Sequence, residues 1–66
     1  MDLIINGKPR KFNKTMSVPD LLSSLKVAPD KTAVEVNGKI IEQNERQSLF
    51  LKSGDKIEII TFVGGG

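Results

Sequence analysis

The sequence contains no cysteine and no histidine. Without cysteine there is no disulfide staple, no thiol nucleophile and no side-chain sulfur able to carry an acyl group. Without histidine as well, the usual zinc ligand sets and imidazole acid–base catalysis are also excluded. Tryptophan and tyrosine are absent, and aromatics amount to three phenylalanines. Charge of one sign is equally scarce: ten Lys and Arg against eight Asp and Glu give +2, too mild to indicate nucleic-acid binding. No apolar run approaches the length that spans a bilayer. Met1-Asp2 leads directly into a strand-like run without the features of a secretory signal. These absences predict a cytoplasmic protein that binds neither membrane nor nucleic acid and has no intrinsic metal or cofactor. At 66 residues the chain is one small domain, which buries only about 60% of the surface its unfolded form exposes.

What the chain does have is an unusual ending, Thr61-Phe62-Val63-Gly64-Gly65-Gly66. Composition alone reads three consecutive glycines as a linker or a frayed tail. The sharper reading is a reactive terminus that enters a narrow channel in a partner enzyme, where any Cβ would meet the wall. Residues 1–63 are therefore expected to form one domain and residues 64–66 a flexible tail.

Leu3, Ile4 and Ile5 form a short apolar run bounded by Asn6-Gly7-Lys8-Pro9, which predicts a strand over 2–6 and a tight hairpin. The return strand, expected over 10–14, has Phe12 as its one large apolar residue among Lys8, Arg10, Lys11 and Lys14. Such a strand suits a sheet edge, where basic side chains discourage pairing with other molecules. Ser17 is a helix cap, Pro19 suits the first turn and Asp20 faces the positive end of the dipole. Val18, Leu21, Leu22 and Leu25 share one helical face, and Val27-Ala28-Pro29-Asp30 is the expected stop. Thr32 to Val36 alternates as a strand, Asn37-Gly38 marks a second hairpin, and Lys39-Ile40-Ile41 returns. Residues 42–48 are polar and aperiodic, so they read as a loop with room for one helical turn. Glu42 and Glu45 there, next to Arg46, read as surface charge and not as a catalytic pair. Leu49 and Leu51 suggest a brief strand before the turn Ser53-Gly54-Asp55. The last strand, 56–61, puts Ile57, Ile59 and Thr61 on one face and Glu58, Ile60 and Phe62 on the other.

Hairpin, helix, hairpin, short strand and final strand together define an α+β fold: one helix crossing a mixed sheet of four or five strands. The first and last strands, the most apolar, are expected to pair in parallel at the centre. One short helix covers one face only, so Ile4, Ile60 and Phe62 should form an exposed apolar patch on the other, at the root of the tail.

Three stretches, Val36-Asn37-Gly38-Lys39-Ile40-Ile41, Ser53-Gly54-Asp55-Lys56-Ile57-Glu58-Ile59-Ile60 and Phe62-Val63-Gly64-Gly65-Gly66, together with the overall length, resemble the ThiS family. These are ubiquitin-like β-grasp sulfur carriers of thiamine (thiazole) biosynthesis. Many members carry a bulky aromatic and a basic residue in the loop after the second hairpin, where this chain has Gln43 to Gln47. The resemblance implies a protein cosubstrate and not an enzyme. An E1-like adenylyltransferase of the ThiF type, using ATP and magnesium, would adenylate the Gly66 carboxylate. Sulfur from a cysteine desulfurase would then give a thiocarboxylate that serves a thiazole synthase of the ThiG type. Gly64 and Gly65 would provide reach into the partner, and Phe62, Ile60, Ile4 and Val63 are candidates for docking. An α-carboxylate is ionised at pH 7 but weakly nucleophilic, so the partner must position it and neutralise charge. A tail of this kind equally suits sulfur transfer to a molybdopterin precursor or tRNA, or conjugation to lysines as a ubiquitin-like modifier. A third reading, an RNA-binding module using Lys8, Arg10, Lys11 and Lys14, lacks interleaved aromatics for base stacking.

Overall fold

The computed structural model describes residues 1–62. Strand β1 (Asp2–Ile5) turns into β2 (Lys8–Lys11), helix α1 (Val18–Ser24) crosses the sheet, and β3 (Thr32–Val36) turns into β4 (Lys39–Ile40). Strand β5 (Lys56–Thr61) closes the fold, and two 3₁₀ segments, Pro29–Lys31 and Gln43–Ser48, lie in the connections. The sheet order is β2-β1-β5-β3-β4. As expected, β1 and β5 pair in parallel at the centre, while the other pairs are antiparallel. Among the described residues the architecture is the expected α+β mixed sheet with one α-helix, and it has five strands.

Both hairpins close through two residues, joining Ile5 to Lys8 and Val36 to Lys39. Such turns require positive φ at both central positions. Asn6 (50°), Gly7 (81°), Asn37 (52°) and Gly38 (86°) supply it. The first turn moves β2 forward to Lys8–Lys11, from the 10–14 expected, because a two-residue loop starts the ladder at once. Pro9 is tolerated there: it faces Ile4, whose amide donates to the Asp55 carbonyl on the β5 side. Pro9 therefore has its missing donor on the open edge.

Ser17 caps α1 and forms a reciprocal box with Asp20: Asp20 N–H donates to Ser17 Oγ at 3.4 Å and Ser17 N–H to Asp20 Oδ2 at 3.2 Å. The helix ends earlier than the proline predicted. Lys26 has φ 59°, its N–H reaches the Ser23 carbonyl and the Val27 N–H reaches that of Leu22. This is a Schellman ending, with lysine in the position usually taken by glycine. Pro29 instead opens the first 3₁₀ segment.

Leu3, Ile5, Val34, Val36 and Ile57 from the sheet meet Val18, Leu21 and Leu22 from the helix, and Met16, Ile41 and Leu51 complete the buried cluster. Leu49 to Leu51 does not form a separate strand. Phe50 makes an isolated bridge to Ser17, and Leu51 N–H donates to the Met16 carbonyl. The pairing positions are taken by the short approach to the helix, so a longer ladder has no room.

Residues 42–48 depart from the expected solvated loop, most of all at Arg46. Gln43–Ser48 is a 3₁₀ segment of six residues. Glu42 is exposed and Glu45 half-buried, its Oε1 accepting from Glu42 N–H at 2.9 Å, but Arg46 is buried, only 5% exposed. Among the described residues no helix is long and apolar enough to cross a membrane.

Candidate functional site

Strand β5 is the last strand before the chain's end, and two side-chain devices and one main-chain bond hold it along its length. At its start, Asn37 Oδ1 accepts from Lys56 N–H (2.9 Å) while Asn37 Nδ2 donates to Asp55 Oδ1 (2.9 Å). Asp55 Oδ2 accepts from Lys52 N–H at 2.8 Å, which closes the turn before the strand. In the middle, β1 has already ended: its ladder with β5 covers Ile4 to Lys56 and Ile5 to Ile57. Asn6 continues the ladder with its side chain, accepting from Ile59 N–H at 2.8 Å and donating to the Ile59 carbonyl at 3.2 Å. At the end, Phe62 N–H donates to the Lys31 carbonyl at 2.8 Å. The sequence identified both asparagines as turn formers. Their second use, bracing the neighbouring strand, has no local sequence signal.

On the sheet face away from the helix, Ile60 is 61% and Phe62 56% exposed, as the alternation predicts. Ala33 is opposite Ile60 across β3. Ile40, at 65% exposure, is on the same face one strand further out, opposite Glu35. Sequence reading placed Ile40 in a strand without assigning it to this face. Ile4 is half-buried and shares the face, but it is beside Lys56 at the start of β5. Four residues of strand separate that position from Ile60, about 13 Å. Ile60 and Phe62 thus belong together at the tail root, and Ile4 is at the opposite end of the strand. Val63, Gly64, Gly65 and Gly66 lie outside the described residues.

Between the exposed isoleucines, Glu35 and Glu58 face each other directly across the β3–β5 ladder. Like charges in that relation are unfavourable, and neither carboxylate forms an ion pair among the described residues, where Lys11 with Asp2 at 3.5 Å is the pair present. The open face therefore has an acidic pair near its centre, with Ile40, Ile60 and Phe62 around it and Lys56 beside Ile4 at the start of β5. The basic residues of the first hairpin are elsewhere, on the outer edge strand; there Arg10 is over the Phe12 ring at 5.9 Å from its centroid. Among the described residues no group of three or more Asp or Glu converges as a metal site. With no histidine or cysteine either, the side chains offer surfaces for recognition.

A single helix packed across a five-stranded mixed sheet, with its first and last strands parallel at the centre, is the ubiquitin-like β-grasp class. Comparison with known proteins narrows the class. The ThiS family profile matches residues 3–66, and the chain belongs to the ThiS family. It is 40% identical over 65 residues to the sulfur carrier protein ThiS of Bacillus subtilis, covering 97% of this chain and 98% of that one. The crystal structure of the thiamine biosynthesis protein ThiS from Geobacter metallireducens superposes with a TM-score of 0.86 at 39% identity, over 100% of both chains. A thiazole synthase of Paramagnetospirillum magneticum is 42% identical over all 66 residues, and the chain spans 20% of that protein's length.

Proposed function

We propose that the chain is a sulfur carrier for thiazole formation in thiamine biosynthesis, acting as a cosubstrate of other enzymes. The observation that carries the reading is the position of Ile60 and Phe62, both exposed, on the braced strand that leads into the three glycines, in a chain of the ThiS family. In this reading the Gly66 carboxylate attacks the α-phosphorus of ATP on an E1-like adenylyltransferase of the ThiF type, and pyrophosphate leaves. ATP and magnesium belong to that enzyme. A persulfide sulfur supplied by a cysteine desulfurase then displaces AMP to form an acyl disulfide; a second thiol cleaves its S–S bond, leaving a disulfide and releasing the thiocarboxylate, which passes to a thiazole synthase of the ThiG type.

The roles follow from physical requirements. The carrier has to place a weak nucleophile accurately, and Gly64 and Gly65 allow the backbone to pass where a side chain would collide. Ile60, Phe62 and Val63 dock beside the channel entrance, with Ile40 at the far margin and Ile4 as an outlying contact. Glu35 and Glu58 select a partner with a basic residue facing them, since such a residue relieves their mutual repulsion. Transfer to a molybdopterin precursor or tRNA, or conjugation to lysines, would use the same tail. The similarity to a protein called thiazole synthase favours the thiazole route.

Deleting Gly66, or extending the chain beyond it, tests the reading. Both variants are expected to unfold cooperatively at the wild-type midpoint and to release no pyrophosphate from ATP with the activating enzyme. Undiminished release from either variant would remove the role of the Gly66 carboxylate.

A further inference from the structure

Arg46 is buried in a segment of surface charge, yet among the described residues it has no carboxylate partner. Its guanidinium is directed at main-chain oxygens instead. Nη2 donates to the Thr32 carbonyl at 2.7 Å, and Nη1 donates to the Pro29 carbonyl at 2.9 Å and to Thr32 Oγ1 at 3.4 Å. Nε is buried without a partner. Burying a cation is unfavourable even when it is hydrogen-bonded, and an orphaned N–H adds to the cost. An apolar side chain would fill the same space without either penalty, so the arginine calls for an explanation in what it holds.

What it holds is the anchor of β5. Pro29 and Thr32 flank Lys31, and the Lys31 carbonyl accepts the Phe62 N–H at 2.8 Å. The Pro29 carbonyl also accepts from Thr32 Oγ1 (3.1 Å) and Gln43 Nε2 (3.2 Å), so donors from two segments converge on it. The guanidinium spans two carbonyls in one rigid plane, a geometry that the single ammonium of lysine cannot reproduce.

We propose that Arg46 is a positioning residue for the chain's end: by gripping the carbonyls of Pro29 and Thr32 it keeps the Lys31 carbonyl in place to receive Phe62 N–H. The backbone from which the glycines depart is thereby fixed relative to the docking face. The functional part rests on the carrier reading above; the clamp itself rests on geometry alone. Two readouts separate them.

The first is amide hydrogen exchange in Arg46→Met and Arg46→Lys, comparing Phe62 with Asn6, whose N–H donates to the Ile57 carbonyl in the central pair at 2.9 Å. In Arg46→Met the Phe62 amide is expected to accelerate about tenfold more than that of Asn6, with Arg46→Lys intermediate. Equal acceleration of both amides would mean general loosening and would overturn the clamp. The second readout is adenylation kinetics with the activating enzyme. A misplaced terminus lowers kcat, here by about tenfold or more, while KM rises by less, because Ile60 stays paired with Ala33 in the β3–β5 ladder. Loosening at Phe62 with kcat unchanged would overturn the positioning role. If Arg46→Met fails to fold, Arg46→Lys carries both comparisons. If the wild-type chain is not adenylated, the carrier reading falls, and with it the positioning role, while the exchange comparison still decides the clamp.

Discussion

Replacing Asn6 by glycine isolates one of the braces on β5. Asn6 sits at φ 50°, a conformation glycine adopts freely, so Asn6→Gly keeps the turn and removes the two side-chain hydrogen bonds to Ile59. Each such bond contributes a net 0.5–1.5 kcal/mol or about that. Both are solvent-accessible, so water replaces them in part and the lower end applies, about 1 kcal/mol for the pair. Glycine also widens the unfolded ensemble, but it removes the residual cost of a left-handed asparagine, and these two effects largely cancel. In a domain of this size a loss of about 1 kcal/mol lowers Tm by roughly 4–8 °C. With no tryptophan or tyrosine in the chain, unfolding is best followed by far-ultraviolet circular dichroism in urea and on heating. Asn6→Asp keeps an acceptor for Ile59 N–H and loses the donor, so it should fall between glycine and wild type. An unchanged midpoint in Asn6→Gly, with the Ile59 amide as protected as before, would refute the claim that this side chain extends the β1–β5 ladder.

Other outcomes follow from the same contacts. Lys26→Gly should stabilise the fold by about 0.5–1 kcal/mol, because relief of the left-handed lysine exceeds the added unfolded-state entropy; a lower urea midpoint would contradict the Schellman ending. Glu58→Gln removes half of a like-charge pair and should stabilise the isolated chain by about 0.2 kcal/mol or slightly more, while raising KM for adenylation. A decrease in both stability and KM would show that the pair is not held for a basic partner. Phe62→Ser should change stability by no more than about 0.5 kcal/mol, since the ring is largely in solvent, and should also raise KM for the activating enzyme. Unaltered kinetics would remove Phe62 from the docking surface.

The core strands and the helix could be read because their physics is local. Alternation placed Val34, Val36, Ile57, Ile60 and Phe62 on the correct faces, Asn-Gly fixed both hairpins, and Ser17 with Asp20 marked the helix start. Errors arose where geometry depends on distant partners. The β2 boundary is set by the length of the turn before it, and the helix end by hydrogen bonds at Lys26 and not by Pro29. Leu49 to Leu51 carries a strand-like pattern but meets only the approach to the helix. Ile4 is on the predicted face, yet face alone does not reveal register, and register puts it about 13 Å along the strand from Ile60. Arg46 was hidden most completely. A lone arginine among Gln, Asn and Glu has the composition of a solvated loop, and only the fold brings Pro29 and Thr32 to it.

If Gly66 carries the transferable sulfur, intact-mass spectrometry of the chain detects it. After incubation with the activating enzyme, ATP with magnesium, and a cysteine desulfurase with cysteine, the chain should gain the mass of one oxygen-to-sulfur exchange, located at Gly66 by fragmentation. An unmodified terminus, with the same enzymes competent on another carrier, would contradict that role.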